Sequence, residues 1–142
     1  EAYYNYGTLC YLKGTYQKAI EYYQYALNEV PETLTMDVTL LQLNKKICEC
    51  AIDPDNISSL ETFILNSLNQ AEILQDPWVR FQLEYNLKNI EIYNKGESAI
   101  YPSKLFMPEN NNDVTAITVF DTLQLNSVKI PICLSLSPNW RY

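Results

Sequence analysis

The stretch YYNYGTLCYLKGTYQKAIEYYQYALNEVP, residues 3–31, decides the fold of this 142-residue chain. It holds eight of the twelve tyrosines and two of the three glycines. Its apolar residues recur at intervals of three and four, the spacing of one helix face. Gly14 interrupts the pattern, and glycine readily adopts the left-handed conformation that ends a helix. Pro31 ends the second run, because proline cannot continue the hydrogen bonding of a helix. We therefore predict two short antiparallel helices joined by a tight turn.

Each predicted helix carries one stripe of packing residues. These stripes consist of Tyr3, Tyr6 and Cys10 in the first helix, and of Tyr16, Ala19, Ile20, Tyr23, Ala26 and Leu27 in the second. We predict that four tyrosines fill the seam between the two helices, namely Tyr3, Tyr6, Tyr16 and Tyr23. Gly7, which has no side chain, lets the two axes approach closely.

At these positions the stretch resembles the tetratricopeptide repeat, a helix–turn–helix unit of about 34 residues. The matching positions are Tyr3, Tyr6-Gly7, Gly14-Thr15-Tyr16, Ala19, Tyr23, Ala26 and Pro31. The resemblance covers one clear repeat, residues 1–32. It implies an all-α fold of stacked helical hairpins, an α-solenoid, that binds a peptide or helix of a partner protein in a concave groove. It also implies that Tyr4, Thr8, Tyr11 and Leu12 lie on the side of the first helix that lines this groove, where a partner-binding role and a plain solvated surface are the two alternatives.

Helical spacing continues to residue 95 without a second clear repeat. Residues 33–74 are predicted to form a degenerate helical hairpin. Its two stripes are Leu40, Leu43, Ile47, Cys50 and Ala51, then Leu60, Phe63, Ile64, Leu68 and Ala71. Asn56 is a candidate N-cap of the second helix, and Asp76-Pro77 is typical of a helix start. Residues 76–95 are therefore predicted to open a third unit, which adds Val79, Leu83 and Asn86 to the groove.

The last third of the chain has a different pattern. Residues 97–112 lose all periodicity and are predicted as a loop. Apolar residues then alternate with polar ones around 115–119 and from Val128 to Leu136, which is typical of strands. Pro131 favours an edge strand or an extended segment. We predict a helical domain over 1–96 and an irregular or β-hairpin tail over 97–142. The alternative is another helix that begins at Pro138.

Composition excludes several classes of function. The chain has no histidine, and its 17 acidic and 10 basic residues give a net charge of −7. This charge argues against nucleic acid and anionic membranes as partners. The glycines are isolated, and no cysteine or carboxylate cluster has metal-ligand spacing. We therefore predict that the chain is not an enzyme and binds no metal or cofactor. The four cysteines are predicted to be buried reduced thiols, which indicates the cytoplasm or another reducing compartment.

Three functions remain open. The first is an adaptor whose groove binds an apolar or basic segment of another protein. The second is an assembly or regulatory segment of a larger enzyme or complex, with its apolar faces buried against other subunits. The third is self-occlusion, in which residues 128–136 lie along the groove as an internal ligand. Because the chain starts without methionine, directly in a patterned helix, we expect it to be part of a longer protein.

One subclass of the tetratricopeptide family binds the acidic C-terminal tails of chaperones. That subclass carries a lysine three residues before the repeat glycine and an asparagine directly after it. In this chain Tyr4 and Thr8 stand at those positions. Neither residue provides the positive charge that a carboxylate requires, so a chaperone tail is disfavoured as the partner.

Overall fold

A computed structural model describes residues 2–96 and 117–137 of the chain. The predicted loop over 97–112 and the alternative helix from Pro138 lie outside the described residues. The described residues form six α-helices and one β-hairpin. In chain order these elements are α1 (Ala2–Leu12), α2 (Tyr16–Glu29), α3 (Thr35–Ile52), α4 (Ile57–Leu68), α5 (Ala71–Gln75), α6 (Pro77–Asn94), β1 (Ile117–Leu125) and β2 (Val128–Leu136). The mostly helical fold and the β-hairpin at the C-terminal side are thus confirmed.

Helices α1 and α2 pack closely, as the spacing of their small residues predicted. A Cβ atom added to Gly7 would lie 2.5 Å from a ring carbon of Tyr23, which is itself fully buried. Gly14 has a φ of +82° in the turn between the two helices, a conformation that side chains disfavour. The absence of a side chain at Gly7 therefore sets the distance between α1 and α2.

The predicted burial of Tyr3 and Tyr6 is wrong. These side chains are 36% and 51% exposed, and their rings contact Tyr22 and Tyr25 on the outer surface. We call these four residues the tyrosine patch. The opposite side of α1 is the buried one, with Tyr4 and the other hairpin-facing residues packed against α3 and the strands. Helical spacing identifies the two faces of α1, whereas the position of the hairpin decides which face is covered.

Helix α3 is the central element, because it contacts α1, α2, α4, α6 and both strands. Four residues of its predicted stripe are fully buried, namely Leu40, Leu43, Ile47 and Cys50, whereas Ala51 is half-buried. Cys48 and Cys50 point to different sides of α3, and both are nevertheless buried. They remain free thiols, as predicted.

Two details of the middle region differ from prediction and one agrees. Helix α4 ends at Leu68, and a separate short helix, α5, follows it, so the stripe predicted to reach Ala71 was too long. Asn56 makes no side-chain cap, since its amide donates to the carbonyl oxygen of Glu49 instead. Asp76 does cap α6, accepting hydrogen bonds from the backbone N–H groups of Trp78 and Val79.

The hairpin has a two-residue turn, with Leu125 paired to Val128. Asn126 adopts a φ of +57° there, which asparagine tolerates better than most residues. In an antiparallel pair the backbone N–H and C=O groups of successive residues point to opposite edges, so those of every second residue point the same way. Those of Cys133 and Ser135 point away from β1 and toward the helices. Pro131 lies two residues before Cys133, so its backbone faces the same edge. The N–H that proline lacks therefore removes no hydrogen bond between the strands.

The hairpin and the helices share one hydrophobic core. The buried cluster joins residues such as Leu43 of α3 and Leu83 of α6 to Ile132 and Leu134 of β2. The predicted boundary at residue 96 therefore separates types of secondary structure, whereas the described residues on its two sides pack together. Within the described ranges no helix has the length and apolar character needed to cross a bilayer.

We expect Gly7→Ala to lower the free energy of unfolding by about 1–3 kcal/mol, the usual cost of overpacking a filled core. The added methyl group would meet the ring of Tyr23, and the gain in helix propensity, about 1 kcal/mol, does not offset this clash. Urea unfolding would measure the change. Gly14→Ala is the matched control, since nothing lies within 4 Å of that position and only backbone strain is expected. A Gly7→Ala chain as stable as the wild type would contradict the close contact.

Candidate functional site

Strand β2 lies against α1, α3 and α6, and asparagine side chains hold its outer edge. Asn86 of α6 accepts a hydrogen bond from the N–H of Cys133 (2.8 Å) and donates one to its carbonyl oxygen (3.0 Å). Asn44 of α3 does the same at Ser135, with both distances 3.2 Å. Each amide thus satisfies both backbone groups of one residue, as a neighbouring strand would.

A third asparagine continues the series. Asn5 of α1 accepts a hydrogen bond from the N–H of Ser137 at 2.8 Å. We call Asn5, Asn44 and Asn86 the asparagine ladder. All three are buried, and they contact Cys133 and Ser135 of β2 and Ser137 directly after it. The order along the strand is the reverse of chain order, so α1, α3 and α6 lie side by side along β2.

A buried hydroxyl network surrounds Ser135 in the middle of the ladder. The Oγ atom of Ser135 lies 2.5 Å from the hydroxyl oxygen of Tyr4 and 3.2 Å from the amide nitrogen of Asn44. Thr8 donates its hydroxyl proton to the carbonyl oxygen of Ser135 at 2.7 Å. Since Thr8 has only one proton to donate, the hydroxyl of Tyr23, 2.7 Å away, donates to Thr8. The hydroxyl groups of Tyr4 and Thr8 on α1 therefore bind Ser135 together with Asn44, and the hydroxyl of Tyr23 on α2 hydrogen-bonds Thr8.

Strand β1 is also attached to the helices. The hydroxyl of Tyr11 donates to the carbonyl oxygen of Thr122 at 2.7 Å, and the amide of Gln82 donates to the hydroxyl of Thr118 at 3.2 Å. Exposed edges of β-sheets are prone to pair with other chains. In this hairpin, side chains of the helices cover part of both edges.

Local spacing explains why these side chains converge. Tyr4, Thr8 and Tyr11 follow one another at intervals of four and three, so they share one face of α1. Gln82 and Asn86 are four residues apart on α6 and share a face in the same way. We refer to the face of α1, α3 and α6 that contacts β2 as the docking face, with Tyr4, Thr8, Asn44 and Asn86 at its centre.

The structure places six of the seven predicted groove residues in buried positions. These are Tyr4, Thr8, Tyr11, Val79, Leu83 and Asn86. Four of them hydrogen-bond or adjoin the hairpin directly, whereas Leu12 is 44% exposed and takes no part. Residues 128–136 lie along α1, α3 and α6, which is the position that the self-occlusion alternative requires.

Sequence reasoning missed Asn5, Asn44 and Gln82. A signal for Asn44 was present, because this amide stands within the apolar pattern of α3, between Leu43 and Ile47. A buried amide in such a stretch requires a hydrogen-bond partner. Its partner lies 91 residues further along the chain, and no pattern in the sequence joins the two.

The docking face consists of neutral hydrogen-bonding groups. Burial is the main cause that raises the pKa of the Tyr4 and Tyr23 hydroxyls, so both remain protonated donors at neutral pH. Burial likewise raises the pKa of the Cys133 thiol, which stays protonated and unreactive. Among the described residues, no group of three metal-ligating side chains lies together. These groups are suited to bind and orient a polypeptide backbone.

A separate shallow cleft of about 420 Å³ lies between α2, α3 and α4. Its floor includes Leu27 and Phe63. The two lysines at its rim are already engaged: Lys45 donates to the side-chain oxygen of Gln24, and Lys46 lies over the ring of Phe63.

No family model matches the chain, and searches of curated protein sequences and of solved structures also find no match. The tetratricopeptide resemblance accordingly depends on the residues of the first repeat alone.

We expect Asn86→Ala to increase the rate of thiol labelling at Cys133 by about tenfold or more, because two buried backbone groups of β2 would lose their partner. Alkylation followed by mass spectrometry resolves the labelled positions. Labelling at Cys48, in the helical core, should change far less, which would show that the hairpin opens locally.

Asn66→Ala is the matched control, since Asn66 is a solvent-exposed asparagine of α4. Equal labelling of Cys133 in the wild type and in Asn86→Ala would show that the asparagine bonds do not hold the hairpin.

Proposed function

We propose that this chain is a non-catalytic protein-interaction scaffold whose docking face binds an extended segment of a partner protein. The observation that carries the proposal is the asparagine ladder. Three buried side chains, from three helices, contact the backbone of alternate residues in one extended segment, two of them in β2 and the third directly after it. Bonds to the main chain supply affinity for any extended segment, and pockets for side chains supply specificity.

An extended peptide fits this face better than a helix does. The backbone groups of a helix are already paired within the helix, except at its ends. A partner helix would therefore leave the buried amides of Asn44 and Asn86 without the bonds that β2 provides. Each unsatisfied buried polar group costs about 1–3 kcal/mol.

The segment is expected to be apolar rather than basic. Tyr4, Thr8, Asn44 and Asn86 are uncharged, and they lie in a buried region. A lysine or arginine docked there would lose its hydration without gaining a carboxylate partner, which is costly. The segment observed in this place fits that expectation, since Ile132 and Leu134 of β2 belong to the hydrophobic core.

A tetratricopeptide-like α-solenoid is the architecture we propose for the helices. Helices α1, α3 and α6 would be the first helices of three successive units, with α2 and α4 as the second helices of the first two. The close contact at Gly7, the turn at Gly14 and the order in which the three helices meet β2 support this arrangement. The four unpaired thiols suit the cytoplasm or another reducing compartment.

The hairpin of the same chain occupies the docking face, so a partner segment must displace it. An attached ligand acts at an effective concentration on the order of millimolar. The apparent affinity for a partner equals the intrinsic affinity multiplied by the fraction of molecules whose face is free. The hairpin would therefore limit binding to segments of high affinity or high local concentration.

The decisive experiment measures binding of a labelled peptide with the sequence of residues 128–137, Cys133 replaced by alanine, by fluorescence anisotropy. The protein variant Ser135→Pro loses the N–H that contacts Asn44 but, like Pro131, leaves the pairing with β1 intact. This change loosens the hairpin and leaves the docking face unaltered. We expect the variant to bind the peptide at least about tenfold more tightly than the wild type.

The control peptide is N-methylated at the positions of Cys133 and Ser135, which removes only the two N–H donors. It should not bind. A second measurement uses the wild-type chain, in which the unmethylated peptide should accelerate labelling of Cys133 by displacing the hairpin. Absence of both effects, or equal binding of the two peptides, would overturn the proposal.

A second candidate function is an assembly segment of a larger complex, and the tyrosine patch favours it. Tyr3, Tyr6 and Tyr25 are at least 36% exposed, and their rings contact one another or Tyr22 within about 6 Å. Leu9, on α1, is 42% exposed as well. Aromatic side chains clustered on a surface are typical of protein interfaces.

Sedimentation of the isolated chain separates the two functions. If the patch mediates assembly, the chain forms oligomers, and Tyr3→Ser with Tyr6→Ser restores a monomer without reducing stability by more than about 1 kcal/mol. Tyr16→Phe, which leaves the patch unchanged, is the control variant. A wild-type chain that is monomeric at high concentration would argue against assembly through this patch.

A further inference from the structure

We infer that the docking face selects segments that carry a serine at the register position of Ser135. This inference rests on the proposed function, since it specifies which extended segments the same face accepts. The asparagine ladder recognises the main chain and is insensitive to sequence. The surroundings of Ser135, in contrast, contact a side chain.

The Ser135 side chain is enclosed by polar atoms from two helices. It has no exposure to solvent, and its Oγ lies 2.5 Å from the hydroxyl oxygen of Tyr4. The amide of Asn44 reaches the same atom at 3.2 Å through its nitrogen and 3.4 Å through its oxygen. A serine hydroxyl both donates and accepts, so it satisfies groups of both kinds.

Other side chains lose these bonds or do not fit. Alanine would leave the hydroxyl of Tyr4, which is only 5% exposed, without its partner on the strand. A buried donor without a partner is a larger penalty than the lost bond itself. Leucine would require a cavity that the packing around Ser135 lacks. A charged residue would be buried without a counter-charge.

The neighbouring positions complete the expected pattern. Ile132 and Leu134 face the main core, and both are fully buried. Cys133 packs in a second cluster with Phe81 and Tyr85, and its thiol donates to the carbonyl oxygen of Gln82 at 3.7 Å. A segment that docks in this register therefore has aliphatic residues at the positions of 132 and 134, a small residue at 133 and serine at 135.

A peptide series tests the inference. Peptides with the sequence of residues 128–137, Cys133 replaced by alanine, carry serine, alanine or leucine at the position of Ser135, and anisotropy measures their binding to the Ser135→Pro protein. We expect alanine to weaken binding by about tenfold and leucine to abolish it. A Lys129→Ala peptide is the matched control, because Lys129 is exposed, and its affinity should be unchanged.

A change on the protein side separates recognition from general packing. In a protein that also carries Tyr4→Phe, the preference for serine over alanine should shrink by at least threefold. If the Ser135→Pro protein is unfolded, the peptides are compared in proteins that keep Ser135. Each peptide is added to the wild type and to Tyr4→Phe, and the peptides are ranked by how much they accelerate labelling of Cys133. Equal binding of the serine and alanine peptides would overturn this inference alone. Failure of the serine peptide to bind would overturn the proposed function instead.

Discussion

The paired hydrogen bonds between asparagine side chains and the backbone of β2 are the constraint on which the rest of the structure depends. A two-stranded hairpin is marginally stable by itself in water. Here part of its outer edge is buried, and each buried backbone group left unpaired would cost about 1–3 kcal/mol. Asn44 and Asn86 remove that cost at two successive outward positions. They thereby allow Ile132 and Leu134 to complete the core of the helices.

The same interaction links stability to binding. Because this face satisfies the main chain of β2, we propose that it accepts an extended partner segment in the same register. The hydroxyl groups of this face carry no charge: that of Tyr23 donates to Thr8, and that of Tyr4 lies 2.5 Å from the Oγ atom of Ser135. On the other side of α1, the tyrosine patch remains exposed and provides a second surface with different chemistry.

The helices were largely predictable because their causes are local. Gly14 and Pro31 stop helices by backbone geometry, and Asp76 caps the helix that Pro77 begins. The alternation from Val128 to Leu136 predicted a strand for the same reason. The errors have another origin. Tyr3 and Tyr6 stand at the expected spacing but are exposed, because burial of one face of α1 depends on which elements cover it.

The amino-acid sequence by itself determined the helical hairpin of residues 2–29, the starts and ends of most helices, the strand at 128–136 and a set of side chains that share one face of α1. Only the tertiary structure decided that Asn44 and Asn86 meet alternate residues of that strand and that Asn5 meets Ser137 directly after it. The physical reason is distance along the chain: Asn44 and Ser135 are 91 residues apart. Spacing within an element reports which residues share a face, whereas the partner of a buried amide is set by how the elements pack.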